Sequence, residues 1–299
     1  MDLEISQAHA AQLGRVPIRR ALPRRGLRTV GHWCFADHMG PADVTDGASL
    51  DVGPHPHIGL QTVTWLLDGQ VLHRDSLGSE QVVRPGELNL MTSGDGVTHS
   101  EQATGHYRGR LEGIQLWVAL PDTTRRAGAA FQHLTELFQV ELRAEGRHTG
   151  QATVLVGSLQ GACSDARHDT DHLGVDLQLS ATTTLPLDPA HEHAVVVLRG
   201  EVRIDGRTIT PGHMGHVAPG VDQVRIEVRG PARLVLIGGS PMPEPISMWW
   251  NFVARNHEEI DEAYRAWRDR DREGRFGHVT SPLPTIDAPT PPWWRAGQA

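Results

Sequence analysis

Lysine is missing from the chain: all 28 basic residues are arginine, which excludes Schiff-base chemistry on a lysine amine and a phosphate-loop lysine. Cysteine is scarce. Cys34 and Cys163 are too few for a disulfide framework, and both are expected to be inert, buried thiols. Long hydrophobic runs are lacking as well: stretches such as Ala194 to Leu198 and Leu234 to Ile237 fall far short of the roughly 20 residues that span a bilayer. The opening MDLEISQAHAAQLGRVPIRR has no apolar secretory core, so a cytoplasmic protein without a membrane partner is expected. Positive charge is in deficit, 28 basic against 36 acidic residues for a net charge of -8, which argues against a direct nucleic-acid partner.

What is present is a turn-rich β-pattern. With 299 residues the chain exceeds the usual span of one domain. Its 32 glycines and 20 prolines punctuate short runs of Val, Leu, Ile and Thr, the texture of antiparallel sheet. LQTVTWLLDGQVL (60–72), EGIQLWVAL (112–120) and HAVVVLRGEVRIDG (193–206) are examples. One helix is predicted over 256–273, with Asn256 as N-cap, acids in the first turn, and Ile260, Ala263, Tyr264 and Trp267 at helical spacing. The Pro-rich tail from 281 is expected to be extended, with its Trp pair on the surface or packed against the body. A weak repeat sets WLLDGQV (65–71) over VVLRGEV (196–202) and RPGEL (84–88) over TPGHM (210–214). It predicts two similar β-barrels, residues 1–145 and 146–299.

Most of the 18 histidines are expected to be hydrogen-bonded or solvated. Two short motifs differ: His55-Pro56-His57 and His99-Ser100-Glu101, each a pair of metal-ligand types two residues apart. Side chains alternate across a strand, so each pair shares a face, and two such strands facing inward aim three imidazoles and a carboxylate at one point. That set suits iron, manganese, cobalt, nickel, copper or zinc rather than calcium. Octahedral Fe(II) held by four protein donors keeps two positions for substrate and dioxygen.

The stretch from Pro54 to Glu101, with DHMGP (37–41) before it and the segment 244–277 after it, resembles the signature of the pirin family of the cupin superfamily. The resemblance implies an all-β bicupin: two cupin-type jelly-roll barrels with a short C-terminal helix and one mononuclear metal in the N-terminal barrel. Carried over by position, the ligands are His55, His57, His99 and Glu101, with Fe(II) the first candidate metal. Pirins of this kind are associated with quercetin 2,3-dioxygenase activity, in which O2 opens a flavonol-like aromatic substrate with release of carbon monoxide. Glu101 then doubles as the catalytic base. Pirins are also described as non-catalytic, metal-dependent, redox-sensing co-regulators that bind a protein partner. A third reading is a cupin enzyme using zinc as a Lewis acid only.

Three places depart from the family pattern, Ile58, Gln61 and Asp95, and are expected to alter the charge at the pocket mouth. His73 and Asp75 match the family outside the ligand set and are read as supporting or turn-stabilising groups. Ile58, Leu60, Leu88, Leu90 and Met91 are compatible with an aromatic substrate as apolar walls, while some of them are expected to be barrel core. In the second half, His191-Glu192-His193 suggests another site. Registered on the glycine turns, however, Pro186 and Asp188 fall opposite His55 and His57, and Arg225 opposite His99, so that site is expected to be blank. Arg15, Arg19, Arg20, Arg24, Arg25 and Arg28 are read as a solvated face with ion pairs. Trp249 and Trp250 are read as packing.

Overall fold

Runs such as Leu60–Asp68 and Glu192–Arg199 are apolar at consecutive positions, and the structure buries them on both faces. A computed structural model describes residues 2–45, 50–269 and 274–294. Each half of the fold is a seven-stranded antiparallel sheet covered by a four-stranded one. In the first barrel the large sheet runs Ala130–Leu134, Leu88–Thr92, Leu60–Asp68, Gly109–Ala119, Trp33–Val44, Val16–Leu22, His9–Leu13; the small one runs Val52–His57, Val97–Gln102, Val71–Asp75, Glu80–Val83. In the second the central strands are His213–Val217, Glu192–Arg199, Ala232–Gly239 and Leu173–Leu179, under a small sheet that includes Thr183–Pro186 and Gln223–Val228.

The two large sheets face each other. Val63, Trp65, Ile114 and Leu116 meet Ala194, Val196, Val235 and Ile237 in one buried cluster. Alternation turns Val195, Val197, Leu234 and Leu236 into the interior of the second barrel. A strand between two cores has no polar face, which is why these segments are unbroken apolar runs. The repeat survives at its turns: Gly69 and Gly200 end the corresponding strands Leu60–Asp68 and Glu192–Arg199 with φ of 99° and 77°. A Cβ would lie 2.6 Å from Leu111 Cδ1 at the first and 2.5 Å from Pro231 O at the second, so glycine is required on two counts.

Two arms cross between the barrels. Leu3–Gln7 pairs with His213–Val217, and Gln139–Ala144 pairs with Arg147–Val156, both in the second barrel's large sheet. In return, the C-terminal segment packs on the first barrel. Val253 N–H donates to Ile58 O at 3.1 Å and Ile286 N–H to Pro54 O at 2.9 Å, while Arg275 pairs with Asp95 at 2.9 Å. A cut at 145 therefore leaves each half with an arm that belongs to the other's sheet or surface.

The helix spans His257–Arg268, capped by Asn256, whose side chain accepts from Glu259 N–H at 2.9 Å; positions 270–273 of the expected range lie outside the described residues. Its buried face is Ile260, Ala263, Tyr264 and Trp267, as the spacing predicts, and it packs on Ile58, Phe252 and Phe276. Trp293 and Trp294 donate their indole N–H groups to Asp261 at 2.9 and 2.7 Å, so the tail closes over the helix. No described helix is long and apolar enough to cross a membrane. Cys34 is buried, and burial pushes its thiol up to about 12. Cys163 corrects the expectation: it is exposed, its hairpin, Ser158–Leu159 with Ala162–Cys163, lining an open second-barrel cavity.

One ion cluster ties the barrels together. Glu112, 1% exposed, accepts from Arg199 Nε and Nη2 at 2.9 and 2.6 Å, Arg110 Nη2 at 2.8 Å and His38 Nε2 at 3.2 Å. Burial pushes its pKa up, but the bonds from His38, Arg199 and Arg110 outweigh that and hold it at about 2, against an ordinary 4.5. A carboxyl depressed in the folded state stabilises fully above its unfolded pKa and loses that contribution as pH falls through the folded one. Glu112→Gln is therefore expected to cost about 1–3 kcal/mol at neutral pH. The gap from the parent should close between pH 4.5 and pH 2. Urea unfolding across that pH series checks it; equal stability at pH 7 would remove Glu112 from the interface account.

Candidate metal centre

The small sheet of the first barrel sets the site. Val52–His57 and Val97–Gln102 pair antiparallel with His99 opposite His55 and Val97 opposite His57, and the register slips between His99 and Glu101. Alternation then sends His55, His57 and His99 to the same interior face. One donor nitrogen from each lies within 4.8 Å of the others, and all three rings are at least nine-tenths buried. Among the described residues no other group of three such donors converges.

Hydrogen bonds assign the tautomers. His55 Nδ1 lies 2.8 Å from Gly53 O, and His57 Nδ1 lies 3.0 Å from Asn251 O. A carbonyl only accepts, so both Nδ1 atoms carry the proton and both Nε2 atoms keep a lone pair. His57 Nε2 faces His99 Nε2 at 3.0 Å. Burial, with the charge of the neighbouring histidines, holds the pKa of His57 and of His99 well below the ordinary range; burial holds His55 down at about 4. Three neutral imidazoles with lone pairs turned to one point are the donor set of a borderline transition ion, and two such nitrogens 3.0 Å apart repel unless a cation or a proton is shared between them. The residues fit a single metal ion. His57 is set edge-on by Trp117, with centroids 5.1 Å apart at 77°. Gly53 must be glycine because the C-terminal tail crosses it: a Cβ there would lie 1.9 Å from Pro284 O.

Glu101 is 4% exposed and accepts from Gln115 Nε2 at 3.2 Å. It stands outside the converging group but lines the same cavity. Burial raises its pKa, partly opposed by the His73 charge and the Gln115 bond. That cavity, about 290 Å³, is walled by Phe35, Trp117, Trp250, Val52 and Ile286. None of Ile58, Leu60, Leu88, Leu90 and Met91 lines it; Leu88 and Leu90 lie between the sheets, Ile58 and Leu60 pack in two smaller clusters, and Met91 is buried. The three departures also lie elsewhere: Ile58 packs under the helix, Gln61 donates to Thr92 Oγ1 at 3.0 Å, and Asp95 pairs with Arg275. Arg20 keeps the ion pairing expected of its run but lies at the cavity rather than on an open face. It lines the cavity, grips Asp37 through Nε and Nη2 at 2.8 Å each, and lies 4.4 Å over the Phe35 ring, which stacks on Trp117 at 4.0 Å. Arg24 of the same run pairs with Glu4.

Sequence reasoning missed Gln115, Trp117, Trp250 and Asn251. Gln115 and Trp117 share one face of Gly109–Ala119, but the strand's one acid, Glu112, has no second ligand type two residues away to draw attention to that strand. Trp250 and Asn251 come from the crossing C-terminal arm; Trp250, at φ 51°, turns the chain so that Asn251 O meets His57. His73 and Asp75, read as supporting groups, are buried on the neighbouring strand, with His73 Nε2 3.0 Å from Asp75 Oδ2. Burial opposes ionisation of Asp75, but His73, by hydrogen bond and charge, and Ser79 hold its pKa below the ordinary value.

Two family models match, Pirin over residues 15–118 and Pirin C-terminal cupin domain over residues 172–277. The chain belongs to the pirin family. A Pseudomonas aeruginosa protein, whose name provisionally makes it a quercetin 2,3-dioxygenase, is 39% identical over 96% of this pirin and 90% of its own length. A pirin-like protein of Caulobacter vibrioides is 35% identical over 88% of this chain and 92% of its own. Among solved structures, quercetin 2,3-dioxygenase from Acinetobacter baumannii superposes with a TM-score of 0.92 at 39% identity, covering 98% of this chain and 97% of its own.

The second barrel of this pirin is built differently. Thr183–Pro186 and Gln223–Val228 stand where the first barrel has its histidine strands, and they pair Thr184 with Arg225 and Pro186 with Gln223. Of the histidine cluster, Glu192 accepts from Gly31 N–H at 2.7 Å and His216 Nε2 at 3.0 Å, joining the barrels. His191 lies 3.3 Å from Asp171, and His193 faces a cavity of about 410 Å³ shared with His168 and His172. Their donor atoms do not converge.

Proposed function

We propose that this pirin is a metal-dependent dioxygenase of the quercetin 2,3-dioxygenase type, with His55, His57, His99 and Glu101 holding one divalent metal, Fe(II) first among the candidates. In this reading the barrel formed mainly by residues 1–145 carries the chemistry and that of 146–299 supports it. The observation that carries the reading is the convergence of three buried imidazoles beside an aromatic-walled cavity that His55, His57 and the buried Glu101 carboxylate line.

A metal bound there would supply Lewis acidity toward a substrate hydroxyl and a redox-active centre for dioxygen. The protein's own groups do the rest. Glu101, whose proton affinity burial raises, accepts the proton of a flavonol 3-hydroxyl, because a carboxylate with a raised pKa is the better base. Phe35, Trp117 and Trp250 present flat apolar surface to an aromatic ring. The volume of about 290 Å³ is at the small end for ligand sites and suits one planar molecule. A flavonol and O2 would leave as a depside and carbon monoxide, with both oxygen atoms in the depside. The name and likeness of the Acinetobacter baumannii enzyme support the same reaction class.

The test is oxygen uptake with quercetin, using protein stripped and reloaded separately with iron, manganese, cobalt, nickel, copper and zinc. Metal-dependent uptake with carbon monoxide release is expected for at least one ion and is expected to vanish in His99→Ala. Tight metal binding with no turnover for any ion would overturn the dioxygenase reading in favour of a metal-dependent protein-binding role.

A further inference from the structure

Two of the three central imidazoles are oriented by main-chain carbonyls; His99 is not. Its Nδ1 faces His73 Nδ1 at 3.5 Å, and His73 Nε2 lies 3.0 Å from Asp75 Oδ2. The antiparallel register fixes this arrangement by setting His99 opposite Asp75 and Glu101 opposite His73. His73 lies flat on Phe131, centroids 4.6 Å apart at 13°, so its ring plane is held from the other side. Asp75 uses its second oxygen to accept the N–H groups of Leu77 and Ser79 at 2.9 and 3.0 Å.

The chain has a direction. An ionised carboxylate only accepts, so His73 Nε2 carries its proton toward Asp75. With its Nε2 turned to His57 Nε2 to hold an ion, His99 carries its proton on Nδ1 and donates it to His73 Nδ1. His99 Nε2 is left bare on the side where His57 Nε2 also points. We propose that Asp75 and His73 are positioning residues that set the tautomer and orientation of His99 and so tune how tightly the three-histidine centre holds its ion. The proposal rests on the reading that this centre binds a metal. His55 and His57 lean on backbone that no side-chain change removes; His99 is the ligand whose support is written in side chains.

A purely structural role for Asp75, as the cap of the Leu77–Ser79 turn, predicts something different. Asp75→Asn keeps an oxygen for those two N–H groups but can turn an NH2 toward His73 Nε2. His73 must then accept at Nε2 and carry its proton on Nδ1, against His99 Nδ1, which drives the His99 proton to Nε2. One near-isosteric change thus reverses the chain while leaving the turn bonded. His73→Phe leaves His99 Nδ1–H without an acceptor. His73→Gln restores one acceptor and one donor.

The experiment is titration of the metal-free full chain with cobalt(II) against a competing chelator, alongside the visible spectrum of the saturated protein and metal-free thermal unfolding. Asp75→Asn and His73→Phe are expected to bind about 10–100-fold more weakly and His73→Gln within about threefold of the parent. The Asp75→Asn protein should show a shifted cobalt spectrum at saturation and an unfolding temperature close to the parent's. Parental affinity and spectrum in both Asp75→Asn and His73→Phe would overturn the relay and leave the metal reading standing. Failure of the parent itself to bind cobalt would overturn both. Should Asp75→Asn not fold, the contrast between His73→Phe and His73→Gln decides alone: equal affinities overturn the relay.

Discussion

His99→Ala is expected to abolish metal-dependent ring cleavage and to weaken metal binding by more than the roughly 10–100-fold that follows loss of an outer hydrogen bond. The variant deletes the imidazole whose Nε2 lies 3.0 Å from that of His57, leaving two nitrogens in a buried pocket that water does not readily replace. Glu101→Gln removes a proposed ligand and the proton acceptor together, so affinity and turnover are read separately on it. Its amide oxygen can still accept from Gln115, so the fold is kept, but an amide is no base, and turnover should fall by about 10²–10⁴. Metal affinity by chelator competition and turnover by oxygen uptake, measured on both variants, check the assignment. His99→Ala with parental affinity would move the centre elsewhere, and Glu101→Gln with parental turnover would assign the proton transfer to another group.

Much of the centre was legible because strand alternation is a period of two. His-x-His and His-x-Glu report a shared face without any knowledge of the fold, and the structure brings the three histidines together. What was not legible came from long-range placement. Asn251 O orients His57 across 194 positions of chain, and nothing in the sequence near Asn251 signals that contact. The apolar walls were misread for a related reason. Leu88 and Leu90 neighbour the ligands in sequence, but their strand belongs to the large sheet and its side chains fill the gap between barrels. Phe35 and Trp117, from strands far apart in sequence, supply the walls instead. The helix was legible to the residue on its buried face because a cap, an acidic first turn and a 3.6-residue period all agree. The crossing arms were not: Leu3–Gln7 is an amphipathic strand that any sheet edge could take, and its partner is fixed only by which edge is free.

The free energy holding the barrels together should be concentrated at Trp33. This side chain starts a strand of the first barrel, is fully buried, and donates its indole N–H to Leu173 O at 3.0 Å and Gly238 O at 3.2 Å in the second. Its ring meets His172 edge-on at 5.1 Å, in a slot that exists because residue 174 is glycine: a Cβ there would lie 3.0 Å from Trp33 Cζ2. Trp33→Ala is expected to cost about 3–5 kcal/mol, the range for emptying a large buried aromatic site. Trp33→Phe keeps most of the ring volume and loses the shared N–H, so about 1–2 kcal/mol is expected from that variant. Urea unfolding followed by circular dichroism checks the order parent, Phe, Ala; a loss below about 1 kcal/mol for alanine would show that the sheets re-close over the gap. Metal affinity should change little in either variant. The arm that delivers Asn251 to His57 is anchored on the first barrel by the helix and by the Val253–Ile58 and Ile286–Pro54 bonds, and none of these contacts passes through Trp33.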